Sequence, residues 1–414
     1  MIKQTTALVG VAALVLLTAA CSKPESQAAT SAKLTGTPIT IGVQSLDTGA
    51  VAYPQSTYGA KAAEWYVNNT LGGINGHPLK LDLCSGDGTP EKGVSCANHF
   101  VSSNVPAVFD AYDGTSVGAM VPILSSAKIP IVGELAGQGV AESAAYGTSF
   151  YFSGPLETSA LGMVTLLHTK GAKTASLAVT DAPSSHGYVD KLVVPLAKTL
   201  GVQVGAVYTK VDSLNYQVLA QTELASKPDV AGLIALPEDG CTGLIEALKS
   251  SGFGGTIFAG SCSQFISALG GKAKGAVVQP RLWVPLAKAN APKDVQGQLD
   301  QFAAAMKAVG YEKEQSARSE YSFAGIINLA KILSGIKGSI TAASVTDAMK
   351  NVKDFQTYLG PKVTCDGQQW PGRPGACSHQ AIFFQVQGDG TLAPVNSSAY
   401  VDLDAVAAQK ALAG

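Results

Sequence analysis

From Pro38 onward, short apolar runs alternate with stretches in which apolar side chains recur every three or four residues. Runs of the first kind read as buried strands, and those of the second as amphipathic helices. Thr40–Val43 predicts a strand. Tyr58–Asn69 predicts a helix with Ala60, Ala63, Tyr66 and Val67 on one face. Strands over Leu79–Leu83, Ala107–Phe109 and Pro130–Val132 then alternate with helices over Gly93–Ser103 and Val117–Ala127. This βαβ rhythm implies a mainly parallel sheet with right-handed crossovers.

The rhythm restarts after Phe152. Helices over Thr158–Thr169, Tyr188–Leu200, Tyr216–Ser226 and Cys241–Ser250 alternate with strands over Thr174–Val179, Val204–Tyr208, Gly232–Ala235 and Thr256–Ala259. Two α/β units in tandem are expected, alike in pattern only. The remainder is less regular. It predicts helices over Gln296–Val309, Tyr321–Ser334 and Ser344–Asn351, the last capped by Thr341 or Ser344. A strand over His379–Gln387 leads into a hairpin turn at Gln387–Thr391.

Composition agrees with two packed α/β domains. A chain of 414 residues exceeds one ordinary core. Its 46% hydrophobic residues, 14% charged residues and 45 glycines suit buried parallel strands joined by glycine turns, and argue against disorder. The net charge of −1, without a basic run, excludes a nucleic-acid partner.

The N-terminus carries a different signal. Lys3 precedes an apolar stretch, Ala7–Leu17, too short to span a bilayer and of signal-peptide length. It ends in Leu17-Thr18-Ala19-Ala20-Cys21, which resembles the lipobox of bacterial lipoproteins, with Thr18 where Leu is commoner. That resemblance implies a signal peptide over 1–20 and a lipidated Cys21. It places the chain on the outer face of the cytoplasmic membrane, at the cell surface or in the periplasm. Residues 21–36 are Ser/Ala/Thr-rich and read as a flexible tether. The plainer alternative is an ordinary secretory signal followed by a chance cysteine.

Six further cysteines remain: Cys84, Cys96, Cys241, Cys262, Cys365 and Cys377. An even number in an exported chain points to disulfides, and the natural pairing is sequential because each pair flanks one short segment. No C-x-x-C or Cys/His cluster at ligand spacing occurs, so neither a metal nor another cofactor is expected.

The order of motifs resembles the leucine/isoleucine/valine-binding type of solute-binding protein. The segments that carry the resemblance are Ile41-Gly42-Val43 with Thr48-Gly49, Leu71-Gly72-Gly73-Ile74-Asn75-Gly76, Gly114-Thr115-Ser116, Tyr151-Phe152, Tyr321, Leu359–Val363 with Cys365-Asp366-Gly367, and Ile382–Val386. They extend over Pro38–Tyr400, and the Gly-Gly-Ile-Asn-Gly segment is the most specific. The resemblance implies a type I periplasmic-binding fold of two lobes, each a mainly parallel sheet flanked by helices. Lobe 1 would comprise 37–152 and 283–353, and lobe 2 would comprise 153–282 and 354–400, with 401–414 as a C-terminal tail. Three crossover strands would join them, near Tyr151–Gly154, Gln279–Val284 and Asp354–Val363. The implied function is a monomeric binding component of an ABC importer. It would deliver a small amino acid, amide or carboxylate to permease subunits served by cytoplasmic ATPases.

Ligands of parallel α/β sheets bind at the carboxyl ends of strands. That rule and the resemblance nominate Thr48 and Tyr53 after the first strand, and Asp113, Gly114, Thr115 and Ser116 at a helix N-terminus suited to a carboxylate. They also nominate Glu134 and Ala136 after the next strand, His186 as an aromatic contact, Glu238 and Asp239 as partners for an ammonium, Ser261, and Tyr321. Relatives that bind amino acids place a carboxylate near Ser261-Cys262, where this chain has none. A neutral ligand, or a carboxylate without a free amine, becomes comparably suitable.

Two other classes deserve comparison. A sensor of the same fold would signal through a separate partner. A serine hydrolase could use Gly114-Thr115-Ser116-Val117-Gly118, which matches the G-x-S-x-G elbow between a strand and a helix. Its later histidines, His168, His186 and His379, are poorly placed, and no HGGG-type segment precedes the elbow.

Overall fold

In a computed structural model of the chain, Met1 and residues 34–413 are described, apart from 50–51, 115, 137–138 and 211–213. Cys21, the signal segment over 2–20, residues 21–33 of the tether and Thr115 lie outside the described residues.

The first unit runs β1 (Ile39–Leu46), α1 (Gln55–Asn69), β2 (Leu79–Gly86), α2 (Pro90–Ser102), β3 (Val108–Asp110), α3 (Val117–Ser126), β4 (Ile131–Gly133), α4 (Gly139–Glu142) and β5 (Ser149–Tyr151). Its five strands form one parallel sheet in the order β2-β1-β3-β4-β5. The short apolar strands β3, β4 and β5 are buried throughout, as expected of a sheet covered on both faces.

The second unit runs α5 (Leu156–Thr169), β6 (Thr174–Thr180), α6 (Pro183–Tyr188), a π-helical turn over Val189–Val193, α7 (Val194–Thr199), β7 (Gln203–Thr209), α8 (Tyr216–Leu224), β8 (Val230–Ala235), α9 (Glu238–Ser250), β9 (Thr256–Phe258), α10 (Gln264–Leu269) and β10 (Val277–Val278). The helix expected from Tyr188 therefore begins at Pro183, where proline suits the first helical turn.

The chain then returns to the first unit through α11 (Lys293–Ala308), α12 (Ala317–Ser334) and α13 (Ala342–Lys350). Both α11 and α12 pack on α1. The approach of α12 to α1 is close because Gly59 lies against the carbonyl of Ser319, where a Cβ would clash. From Ser319 to Ala330, α12 is buried on every side, the pattern of a helix enclosed by core. Thr341 caps α13 in a reciprocal pair with Ser344.

The rest comprises a hairpin, β11 (Phe355–Gln356) with β12 (Lys362–Val363), then β13 (Gln380–Ile382), β14 (Phe384–Val386), β15 (Leu392–Pro394), β16 (Tyr400–Asp402) and α14 (Ala405–Ala413). The second sheet has the order β15-β14-β10-β9-β8-β6-β7. Its core is parallel, and β14 and β15 join as an antiparallel edge through the turn expected at Gln387–Thr391.

Two segments depart from the expected boundaries. Within 354–400, the loop between Cys365 and Cys377 extends the first sheet rather than the second. Tyr151 in β5 donates its amide to Gly375 and accepts one from Cys377, so the loop covers the open edge of that strand. Residues 401–414 were expected as a tail, yet β16 pairs with β13 and α14 packs on α7. Ala405 and Ala408, three apart on one helical face, are buried there.

The cysteines are bonded as Cys84–Cys96, Cys241–Cys262 and Cys365–Cys377. Among the described residues, no helix is long and apolar enough to cross a membrane.

Candidate functional site

A cavity of about 330 Å³ opens between the two sheets, at the carboxyl ends of strands from both. Tyr112 follows β3, and Leu135 and Ala136 follow β4. Ile234 and Ala235 close β8, Phe258 ends β9, and Gly260 and Ser261 follow it. Gln279 and Arg281 lie beyond β10 on the second passage between the units. Leu156, Ser159 and Met163 of α5, Val179 of β6, Ser184, Ser185 and Tyr188 of α6, and Ala317, Arg318 and Tyr321 of α12 complete the wall. The helix that returns to the first unit therefore supplies one rim, and the connecting segment supplies the floor.

Arg318 defines the rim. Its guanidinium stands 3.6 Å from the ring centroid of Tyr112 and 4.5 Å from that of Tyr53. The two rings meet edge to face, with centroids 5.8 Å apart. Tyr112 holds its place from a left-handed backbone conformation, φ 69°, which a bulky side chain rarely adopts. Such strain persists only where the surroundings impose it, and it concentrates at ligand sites.

Arg281 defines the floor. It is only 8% exposed and donates to the Ser153 carbonyl and the Ser159 hydroxyl. Burial lowers its pKa, partly countered by the hydroxyls of Tyr321, Tyr188 and Tyr112 and by Glu134. The Arg281 amide donates to the Tyr321 hydroxyl at 3.2 Å. Burial pushes Tyr321 up to about 12, so its hydroxyl keeps its proton.

Glu134 sits behind this wall, not in it. It accepts from Ser153 Oγ at 2.5 Å and from Asn328 Nδ2 at 3.5 Å. Burial pushes its carboxyl up to about 8, although hydrogen bonds from Ser153 and Asn328 and the charge of Arg281 pull the other way. At neutral pH it is mostly protonated and contributes little negative charge.

Of the residues nominated from sequence, Ala136, Ser261 and Tyr321 line the cavity, and Tyr53 supports it through Arg318. The others lie elsewhere for identifiable reasons. Asp113 turns away, accepting from Gln44 Nε2 at 2.8 Å and from the Ser116 amide at 3.0 Å. Ser116 is fully buried at the start of α3, against Gly93 of α2, so it is not presented as a hydrolase nucleophile. Gly114 does not reach the wall. Thr48 is exposed and donates to the Gly86 carbonyl.

His186 stacks on Tyr208, with centroids 3.8 Å apart, and bonds Asp181 at 2.9 Å, outside the cavity. Tyr188, two residues on, brings an aromatic ring to the wall instead. Glu238 caps α10 by accepting from the amides of Ser263 and Gln264, and Asp239 is exposed. Glu238 also clusters with Cys241 and Cys262. Those sulfurs are bonded to each other, so neither is a thiolate ligand.

The residues that dominate the cavity, Arg281, Arg318, Tyr112 and Tyr188, were not nominated. A signal for two of them was present. Of the 29 Lys and Arg residues only Arg281, Arg318 and Arg373 are arginine. Arginine suits buried and bidentate sites that lysine does not. The third, Arg373, pairs with buried Glu157 at 2.5 Å and donates to Ser143 Oγ, so it clasps α5 to the end of α4.

A family model described as periplasmic binding protein matches residues 38–391, and the chain belongs to that family. The fold is the type I periplasmic-binding fold. It is similar to the solved structure of a leucine-binding protein from Thermotoga maritima, at 15% identity over 88% of this chain and 99% of that one, TM-score 0.66. A branched-chain amino acid ABC transporter periplasmic ligand-binding protein from Burkholderia xenovorans is 16% identical over 91% and 97%, TM-score 0.69. An ABC transporter solute-binding protein from R. palustris, solved in complex with 4-hydroxybenzoate, is 17% identical over 88% and 97%, TM-score 0.65. No curated protein matches the chain.

Proposed function

We propose that this protein is the solute-binding component of an ABC importer. It holds a small polar solute in the cavity between its two sheets and hands it to a permease energised by cytoplasmic ATPases. The observation that carries the reading is the cavity itself: it lies at strand carboxyl ends of both units, and residues from both enclose it. The relatives of this fold that bind leucine or 4-hydroxybenzoate support the same reading. Three chain passages join the units, which suits hinged closing about a bound solute. The protein acts as a monomer exported and anchored through lipid at Cys21, a role supported by the lipobox-like segment ahead of it.

Calorimetric titration of the chain from Ser22 onward, with amino acids, amides and small carboxylates, tests the binding role. Ser261→Trp, which fills the cavity from the β9 loop, should abolish the heat seen with the parent. Heat that persists unchanged in this variant places the solute elsewhere. Anchoring is tested by labelled-palmitate incorporation in cells, which Cys21→Ser should eliminate.

A further inference from the structure

We infer that the solute is an amine-free organic anion with an apolar body, its carboxylate held by Arg281 and Arg318. The inference rests on the solute-binding reading and narrows it to a ligand class. Among the described residues, the two guanidiniums are the only ionic groups in the cavity wall; no Asp, Glu, Lys or His joins them. No nearby carboxyl among the described residues lines the cavity, and most of them are hydrogen-bonded elsewhere. Asp113 bonds Gln44 and the Ser116 amide, Glu157 bonds Arg373, and Glu238 bonds the amides that open α10. Glu134 is bonded to Ser153 and Asn328 behind the wall, and its raised pKa leaves it mostly neutral at pH 7. Glu320, two residues after Arg318 on α12, is outside the wall, and burial holds its carboxyl well above the usual carboxylate range.

Arg281 is buried and Arg318 half-buried; a guanidinium withdrawn from water without a counter-charge is costly, and a ligand carboxylate relieves that cost with two-pronged hydrogen bonds. An α-ammonium would meet the opposite situation, positive charge without a partner. The neutral polar groups at hand, the hydroxyls of Tyr112, Tyr188 and Tyr321, add donors suited to an anion. Leu135, Leu156, Met163, Val179, Ile234 and Phe258 supply apolar surface, interrupted by Ser159, Ser184, Ser185, Ser261 and Gln279. The six apolar side chains favour a solute with an apolar body.

Three matched pairs isolate the chemistry by titration calorimetry on the chain from Ser22 onward. Leucine against 4-methylpentanoate, and phenylalanine against 3-phenylpropionate, differ by the ammonium. Benzoate against benzamide differs by the charge. The amine-free anion of each pair should bind, and its partner should bind roughly 10–100-fold more weakly, the worth of one charged hydrogen-bonding contact. Arg318→Lys and Arg281→Gln should each weaken the anion by a similar factor. An unliganded melt confirms that each variant is folded, and Arg318→Lys retains the charge should the second variant fail to fold. Tighter binding of the amines or the amide overturns this inference and leaves the solute-binding reading standing. Absence of binding by all six compounds overturns this inference, and the wider titration with amino acids, amides and carboxylates decides the solute-binding reading separately.

Discussion

The guanidinium of Arg318 lies over the ring of Tyr112, 3.6 Å from its centroid, and Tyr112 reaches it only by adopting a left-handed backbone. Two energies oppose each other at this pair. The conformation costs about 1–2 kcal/mol for a residue with a Cβ. The stacked cation returns about 0.5–2 kcal/mol, depending on how dry the site is.

The pair gives a paradoxical expectation for two truncations. Tyr112→Ala keeps the strained backbone and loses the stack. Tyr112→Gly loses the stack but relieves the strain, so it should be about 1 kcal/mol more stable than the alanine variant. Urea unfolding of both measures the difference. Equal stabilities would mean that the left-handed conformation carries no strain at this position.

Glu134 predicts a pH dependence of stability. Its carboxyl is raised to about 8 in the folded chain, from the ordinary glutamate value of 4.5. Below pH 4.5 both states are protonated and the group is neutral to folding. As pH rises from 4.5 to 8 the unfolded chain ionises while the folded one holds its proton. Stability therefore falls across this window, by a few kcal/mol in all. Glu223, raised to about 8 by burial, acts in the same direction. Glu134→Gln should flatten part of the slope, and the parent-minus-variant difference isolates its share. A difference that is constant from pH 4.5 to 8 contradicts the assignment.

The fold was legible because its signal is periodic and repeated. The strand at Thr174–Val179 and the helix at Tyr216–Ser226 agree with β6 and α8 to within two residues. Some very short elements were missed. β10 has two residues, too few for a pattern to register, and β5 has three; the equally short β3, β4 and β9 were found because their apolar runs sit between clear helical stretches. The cavity was half legible. The strand-end rule reached Ala136 and Ser261, which follow strands the pattern revealed. It did not nominate Arg281, although the crossover expected near Gln279–Val284 contains it, because β10, the strand before it, went unrecognised. Nor did it reach Arg318, because α12 begins four residues before the predicted helix at Tyr321 and comes from the far end of the sequence. Asp113 illustrates the opposite limit. Its position in the chain is right for a ligand, but only the partner Gln44, on β1, decides where the side chain points.

The packing that positions Arg318 can be tested away from the cavity. Gly59 in α1 lies where any Cβ would meet the carbonyl oxygen and Cα of Ser319, the residue after Arg318. Backbone atoms cannot swing aside, so Gly59→Ala must push α12 outward. A destabilisation of about 1–3 kcal/mol is expected. The shift also moves the guanidinium off Tyr112, so affinity for whichever solute binds the parent should drop. Stability lost with affinity intact would show that α12 yields without carrying its first turn along.

The disulfides allow stability to be separated from site geometry. Cys241–Cys262 and Cys365–Cys377 close segments of 21 and 12 residues. By loop entropy each is worth about 3 kcal/mol, and the logarithm makes the two nearly equal. Their surroundings differ. Cys262 immediately follows Ser261 in the cavity wall, and its bond ties that turn to the first turn of α9. Cys365–Cys377 instead secures the loop that covers the edge of β5. Replacing both cysteines of either pair with serine should lower urea stability by similar amounts. Only the Cys241/Cys262 variant should also weaken solute binding, because its turn then loses its covalent tie to α9 and keeps only hydrogen bonds, those of Glu238 with the α10 amides among them. Titrating both variants with a solute that binds the parent decides the matter. Equal affinity losses in the two would mean that the solute senses global stability rather than the turn beside Ser261.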